Sequence, residues 1–237
     1  MPQPTELDQP VVSDPPVSLT NDLESLCGEG DAKIQQLLAG QSGRVFIISG
    51  PSGVGKDSVI EKLREVYPDA RYVVTATSRP MRPGEIDGVH YLFLDRADFE
   101  AQIEAGDFIE HALVYGNLYG VPKRPILEGL ANGQHVIIKV DVKGAATLRE
   151  VISNTKSLFL LPESMESLLE RLRDRKTEDP EVLMKRFRTA SEELERVSEF
   201  DYAVFNEAGK LDEALENIVS IIEAEQSRVV QLPITIS

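Results

Sequence analysis

Apolar residues along this chain fall into two rhythms. The short continuous runs RVFIISG (44–50), HVIIKVD (135–141) and SLFLLP (157–162) read as buried strands. SVIEKLREVY, after the first of them, sets Val59, Ile60, Leu63, Val66 and Tyr67 at helical spacing. Further strands are expected at ARYVVTATS (70–78), HYLFLD (90–95), FIEHALVYG (108–116) and YAVFN (202–206). Helices are expected at RADFEAQIEAG (96–106) behind an Asp95 cap, and at PKRPILEGLANG (122–133) and VKGAATLREVI (142–152). Three more follow, SMESLLERLRDR (164–175), EVLMKRFRTASEELERV (181–197) and LDEALENIVSIIEAE (211–225). Strands alternating with helices imply an α/β fold with a doubly wound, mostly parallel sheet. The central runs lack polar alternation, as strands covered on both faces do.

Charge narrows the range of ligands. The net charge is −15, from 25 basic and 40 acidic residues, which argues against a broad nucleic-acid surface. A small anion held by a few local arginines remains compatible with it. The one cysteine, Cys27, allows no intrachain disulfide and reads as an incidental thiol. No apolar run approaches the roughly 20 residues of a membrane span, so no membrane partner is expected. Residues 1–20 are rich in proline and acid and contain no Lys or Arg, unlike a targeting peptide. Residues 1–43 are therefore expected to form a partly disordered arm, with one or two short amphipathic helices in 21–40, and the cytoplasm is the expected location. The tail, 229–237, reads as an extended surface segment or a partner contact. Oligomeric state has no signature in the chain.

Two loops carry chemistry. SGPSGVGKDS (49–58) matches G-x-x-x-x-G-K-[ST] at Gly50, Gly55 and Lys56, but Asp57 stands where the pattern has a metal-binding hydroxyl. Between a strand and a helix, such a loop turns successive backbone N–H groups and the helix N-terminus toward phosphate oxygens. The plainer alternative is a glycine-rich strand–helix turn. In SRPMRPGE (78–85), prolines stiffen a loop bearing Arg79 and Arg82, two guanidinium forks suited to a phosphate monoester. Its plainer reading is a solvated basic turn.

These loops recur with TSRPMRPGEIDGVHY, FIEHALVYGNLYG, VDVKGA and ERLRDRKTEDPEVLMKR in a fixed order. From about Arg44 to Arg228 the chain thereby resembles the guanylate kinases, P-loop enzymes that move a phosphoryl group from ATP to GMP. GKDS and VTATSRPMRPGE are similar to the branch seen in plant organelles and some bacteria. The resemblance implies a P-loop NTPase fold with core segments 44–78, 125–172 and 187–228, a GMP-binding insertion at 79–124 and a helical lid at 173–186. It implies ATP, with Mg²⁺, at Gly50, Pro51, Ser52, Gly53, Val54, Gly55, Lys56, Asp57 and Ser58. GMP, and by extension dGMP, falls to Thr75, Arg79, Arg82, Tyr91, Glu110, Tyr119 and Asp141, with Glu85 orienting the arginine loop. Glu110 matches the carboxylate that accepts guanine N1–H and the N2 amine. Lys56, Arg79, Arg175 and Arg186 match the catalytic cations, and Asp57 and Asp141 stand near the metal. Arg171 reads as a helix-face pairing residue near Arg175.

Three residues depart from that pattern. Val121 replaces a Ser or Thr beside the base, Lys176 a lid glycine, and Lys139 an acid at the strand end. A carboxylate lost at Lys139 and another gained at Asp57 suggest a compensating pair around the metal, the alternative being that Asp57 only caps its helix. Two other functions are weighed. A ribose bisphosphate phosphokinase tolerates a similar loop but does not require Glu110 with Asp141. A catalytically inactive guanylate-kinase-like binding domain typically loses the phosphate loop and lid arginines that this chain keeps.

Overall fold

The computed structural model describes residues 17–39, 43–114, 116–173, 180–229 and 232–236. The chain divides into two units, Met1–Gly40 and Gln41–Ser237. In the first, α1 (Val17–Ala39) is one helix of 23 residues rather than one or two short ones. Gly28 and Gly30 lie within it, each costing a helix about 1 kcal/mol without ending it. The proline-rich residues 1–16 lie outside the described residues.

The second unit is built on a five-stranded parallel sheet. In order across the sheet these are β2 (Arg71–Val73), β7 (Val136–Lys139), β1 (Val45–Ser49), β8 (Lys156–Leu161) and β9 (Tyr202–Phe205). Alternate residues of β1 enter different cores. Phe46 and Ile48 join Val59 and Leu63 of α2 (Lys56–Val66), Leu168 of α6 (Met165–Arg173), Ala190 of α7 (Pro180–Leu194) and Ile218 of α8 (Leu211–Gln226). Val45 and Ile47 join Ile126 of α4 (Lys123–Ala131) and Leu148 of α5 (Val142–Val151). Helices thus cover both faces, the doubly wound arrangement that unbroken apolar strands require.

A second sheet orders β4 (Leu92–Phe93), β3 (Ala76–Thr77), β6 (Asn117–Pro122) and β5 (Phe108–Val114), with α3 (Arg96–Glu104) beside it. Its small core is Ala76, Phe99 and Leu118, with Phe99 stacked on Phe108 at 4.6 Å. Two expectations change here. ARYVVTATS is not one strand: β2 closes the main sheet and β3 opens the second, with Val74 and Thr75 between them. NLYGVP is a strand, β6, antiparallel to both β3 and β5. Its glycine is needed, since a Cβ at Gly120 would lie 2.8 Å from the Phe108 ring and 2.9 Å from that of Phe99.

The tail returns to the domain. Ile236 bridges Ile152, and Ile234 and Ile236 pack on the core that holds Val45. In the main sheet the chain runs from β1 to one side, through β2 and β7, then crosses to β8 and β9 on the other. Open parallel sheets bind ligands at the carboxyl ends of the strands beside such a reversal. Those ends here carry the phosphate loop after β1 and Lys139 and Asp141 at and just after the end of β7.

Candidate active site

The loop after β1 is shaped by glycines that no other residue replaces. Gly50 has φ 141°, and a Cβ there would sit 2.6 Å from the Leu160 carbonyl oxygen. Gly55, at φ 97°, is the N-cap of α2 and would meet the Asn206 amide nitrogen at 2.6 Å. Lys56 Nζ donates to the carbonyl oxygens of Gly50 at 2.6 Å and Pro51 at 3.1 Å, so its ammonium lies over the loop. Burial holds that ammonium below the ordinary lysine value; Glu193, Asp57 and Asp141 oppose this and Lys139 reinforces it. The loop lysine, three carboxylates and a second lysine therefore share one electrostatic neighbourhood.

Asp57 lies in the first turn of α2, whose N-cap is Gly55. Asp57 Oδ1 accepts from Lys139 Nζ at 2.5 Å. Lys139 also stands over the Tyr91 ring, 4.5 Å from its centroid. Burial lowers the Lys139 pKa, but Tyr91 and Asp57 outweigh that and hold it above the ordinary value. The two departures from the family pattern thus touch each other.

Tyr91 begins the pocket of the second sheet. Its ring lies 6.1 Å from that of Tyr119 at an angle of 73°, and the Arg79 guanidinium stands 5.1 Å above it. Arg79 is almost buried and makes two parallel hydrogen bonds to Glu85, of 2.7 and 2.5 Å. The Arg82 amide donates to the same carboxylate at 2.7 Å, while the Arg82 side chain is exposed. Glu85 thus ties the two ends of the arginine loop. Burial alone would raise its pKa, but the Arg79 hydrogen bond and the Arg82 amide hold it below the usual carboxylate value. The same hydrogen bond to Glu85 is the main force holding the Arg79 pKa above its ordinary value.

Glu110 is buried on β5, directly opposite Val121 of β6. Burial, and then the charge of Asp141, push its pKa up to about 7. Asp141 is the N-cap of α5 and accepts from the Gly144 amide at 2.7 Å. A Cβ on Gly144 would be 3.3 Å from Asp141 Oδ1 and 3.5 Å from the Glu110 carboxyl carbon, so both acids converge on the first turn of α5. Thr75 is buried at the junction of the two sheets, and its carbonyl accepts from the Leu92 amide at 2.9 Å. Val121 belongs to the core with Val73, Ile126 and Val136, so an apolar wall stands beside Glu110.

The α7 helix reaches the loop through two residues that lie two turns apart. Arg186 donates to Ser52 Oγ at 3.2 Å, and Glu193 Oε2 accepts from the Ser52 amide at 2.9 Å. Burial raises the Glu193 pKa, against the pull of Lys56 and the Ser52 amide. Arg175 and Lys176 lie outside the described residues. Arg171 donates to Val54 O at 3.2 Å, Asn206 O at 2.9 Å and Glu163 at 2.8 Å, and the neighbours of Arg175 with which it was expected to pair lie outside the described residues. Asn206 donates to Val54 O at 2.8 Å. Sequence reading missed Glu193 and Asn206. YAVFN ends on a polar residue at a strand's carboxyl end, a usable signal for Asn206, whereas Glu193 sits in a run of acids with nothing to mark it.

This geometry coincides with similarity along the chain. The sequence model described as guanylate kinase matches residues 42–225. Guanylate kinase 2, chloroplastic/mitochondrial, from Oryza sativa subsp. japonica is 46% identical over 186 residues, 78% of this chain and 65% of the rice protein. The guanylate kinase of Carboxydothermus hydrogenoformans is 41% identical over 184 residues, 78% of this chain and 89% of its own length. The crystal structure of guanylate kinase from Anaplasma phagocytophilum superposes with a TM-score of 0.64 at 30% identity, covering 79% of this chain and 88% of that one. A family match over most of the second unit, with the phosphate loop inside it, leaves one assignment: the chain belongs to the guanylate kinase family.

Proposed function

We propose that this protein transfers the γ-phosphoryl group of ATP to the phosphate of GMP, and of dGMP, giving ADP and GDP or dGDP. One observation carries the reading. A phosphate loop after β1 of the main sheet and an arginine–tyrosine cluster of the second sheet are joined by the contacts of Lys139 with Asp57 and Tyr91. Transfer between two nucleotides needs both phosphates in line and positive charge on the moving group rather than covalent help. The bond from γ-phosphorus to the β,γ-bridging oxygen breaks and leaves its electron pair on ADP. A GMP phosphate oxygen forms the new P–O bond.

In this reading Gly50–Ser58 hold the ATP phosphates, and Lys56 leaves its carbonyl partners for phosphate oxygens. Arg79, Arg82, Tyr91 and Tyr119 hold the GMP phosphate, with Glu85 fixing the arginine loop. Glu110 and Asp141 accept the guanine N–H groups near Thr75. Arg175 and Arg186 bring charge to the transferred group from the 173–186 lid, and 79–124 serves as the GMP-binding insertion.

Mg²⁺ arrives with ATP. Among the described residues no group of three or more His, Cys, Asp or Glu could cage a metal. Mg²⁺ suits such a site, because it keeps waters and takes one or two carboxylates plus substrate phosphates. Asp57 and Asp141, both within electrostatic reach of Lys56, would hold it, Asp57 directly or through water. When bound it supplies charge neutralisation on the phosphates.

Coupled ADP release with ATP and Mg²⁺, offering GMP, dGMP, AMP, CMP and UMP, tests the proposal. Turnover with GMP no greater than with AMP, CMP or UMP would defeat it. No helix among the described residues is long and apolar enough to cross a membrane. The cytoplasm is the proposed location, checked by cell fractionation, since the rice relative is named for chloroplast and mitochondrion.

A further inference from the structure

Lys139 occupies a position that its packing alone does not explain. Its side chain is 12% exposed, its ammonium is 2.5 Å from Asp57 Oδ1, and the ammonium lies 4.5 Å from the Tyr91 centroid. Asp57 follows Lys56 in the phosphate loop, and Tyr91 packs with Tyr119 and Arg79 in the pocket of the second sheet. One fixed cation therefore stands in the seam between the two phosphate sites. Removing an ammonium from water costs several kcal/mol, and an apolar pair would join β7 to α2 at lower cost. A cation kept at that cost, at that place, points to the anion that crosses the seam.

Resting on the kinase reading above, we propose that Lys139 contacts the phosphoryl group during transfer, and that Asp57 and Tyr91 hold its ammonium in position. The ammonium accompanies the moving PO₃ group as a charge and gives up no proton, so the bonds made and broken are those already stated. Asp57, at the hydroxyl position of the loop, acts through Lys139 as well as through the metal's waters. Loss of Lys139 removes the ammonium that donates to Asp57 Oδ1.

The test compares wild type with Lys139→Met, Lys139→Arg, Asp57→Asn and the Asp57→Asn/Lys139→Met double variant. For Lys139→Met, kcat with GMP is expected to fall about 100-fold, as for loss of one preorganised charge-stabilising donor. KM for ATP and GMP should stay within about threefold. Lys139→Arg should recover about tenfold or more of that loss, and Asp57→Asn should slow Lys139→Met by less than it slows wild type, because part of its effect passes through the lysine. Binding supplies a readout independent of turnover. In EDTA, a bisubstrate with adenosine and guanosine joined by five phosphates should bind Lys139→Met about tenfold more weakly than wild type. A kcat within threefold of wild type for Lys139→Met, strictly additive losses, or unchanged bisubstrate affinity in EDTA would each overturn the proposal and leave the pair as a strut. Those outcomes leave the kinase reading standing if wild type phosphorylates GMP. Wild type that does not phosphorylate GMP sinks both.

Discussion

Glu110 shows how a residue acquires its chemistry from what is built around it. Val121 lies directly across the hairpin and Asp141 lies at the neighbouring helix start, so its carboxyl loses water and meets a like charge. Its pKa of about 7 against an ordinary 4.5 means that the folded state keeps a proton between those values that the unfolded chain has lost. Stability therefore falls as pH rises from about 4.5 to about 7, by roughly 3 kcal/mol from this group, and then levels off. Urea unfolding of wild type and Glu110→Gln across pH 4.5–8 should show that difference in slope. The proposed acceptance of guanine N–H groups needs the anion, so KM for GMP should drop as pH rises through about 7, and Glu110→Gln should flatten that profile. A hydroxyl donor at 121 would favour the charged form. Val121→Thr should shift the midpoint of the KM profile to lower pH, read from initial rates. Glu110 as a candidate site residue was legible from motif resemblance. Its altered acidity was not, because Val121 and Asp141 are 11 and 31 positions away and only pairing and packing bring them close.

At the scale of elements, periodicity found the main-sheet strands and most helices because burial on one stripe or on both faces leaves a repeating pattern. It failed at β6, where Gly120 and Pro122 weaken the strand signal while β3 and β5 supply hydrogen bonds on both sides. It also joined β2 to β3, since one apolar run serves two sheets. The phosphate loop was legible because its glycines answer a local need, yet its support comes from distant elements. Asn206, beyond β9, and Arg171 of α6 both bond Val54 O, and Arg186 and Glu193 of α7 bond Ser52. Asn206→Ala should raise KM for ATP by about tenfold and leave KM for GMP within twofold, measured by varying each substrate in turn. Gly55→Ala forces a Cβ onto Asn206 at positive φ and should cost about 1–3 kcal/mol in denaturant unfolding, with a higher KM for ATP.

For the molecule as a whole, the tail and the site sit at opposite ends of α5. Asp141 caps its start, while Ser153 and Asn154 beyond its end hold Thr235 and Pro233. Ile234 and Ile236 are half-buried against the core, which is worth about 2 kcal/mol together. Ending the chain at Arg228 should lower the thermal midpoint by about 4–8 °C and leave KM for GMP within twofold, by scanning calorimetry and initial rates. The net charge of −15 is likewise a whole-molecule property, and the candidate anion sites within it rest on cations placed locally, Lys56, Lys139, Arg79 and Arg186. The sequence by itself determined the parallel α/β sheet, the phosphate loop and the arginine loop, since these depend on periodic burial and on local backbone geometry. Only the tertiary structure decided that Asp57 meets Lys139 across 82 positions, that Glu193 and Asn206 brace the loop, and that Val121 dries Glu110. Contacts between residues far apart in the chain leave no periodic trace, and their energies depend on distances and burial that the fold alone sets.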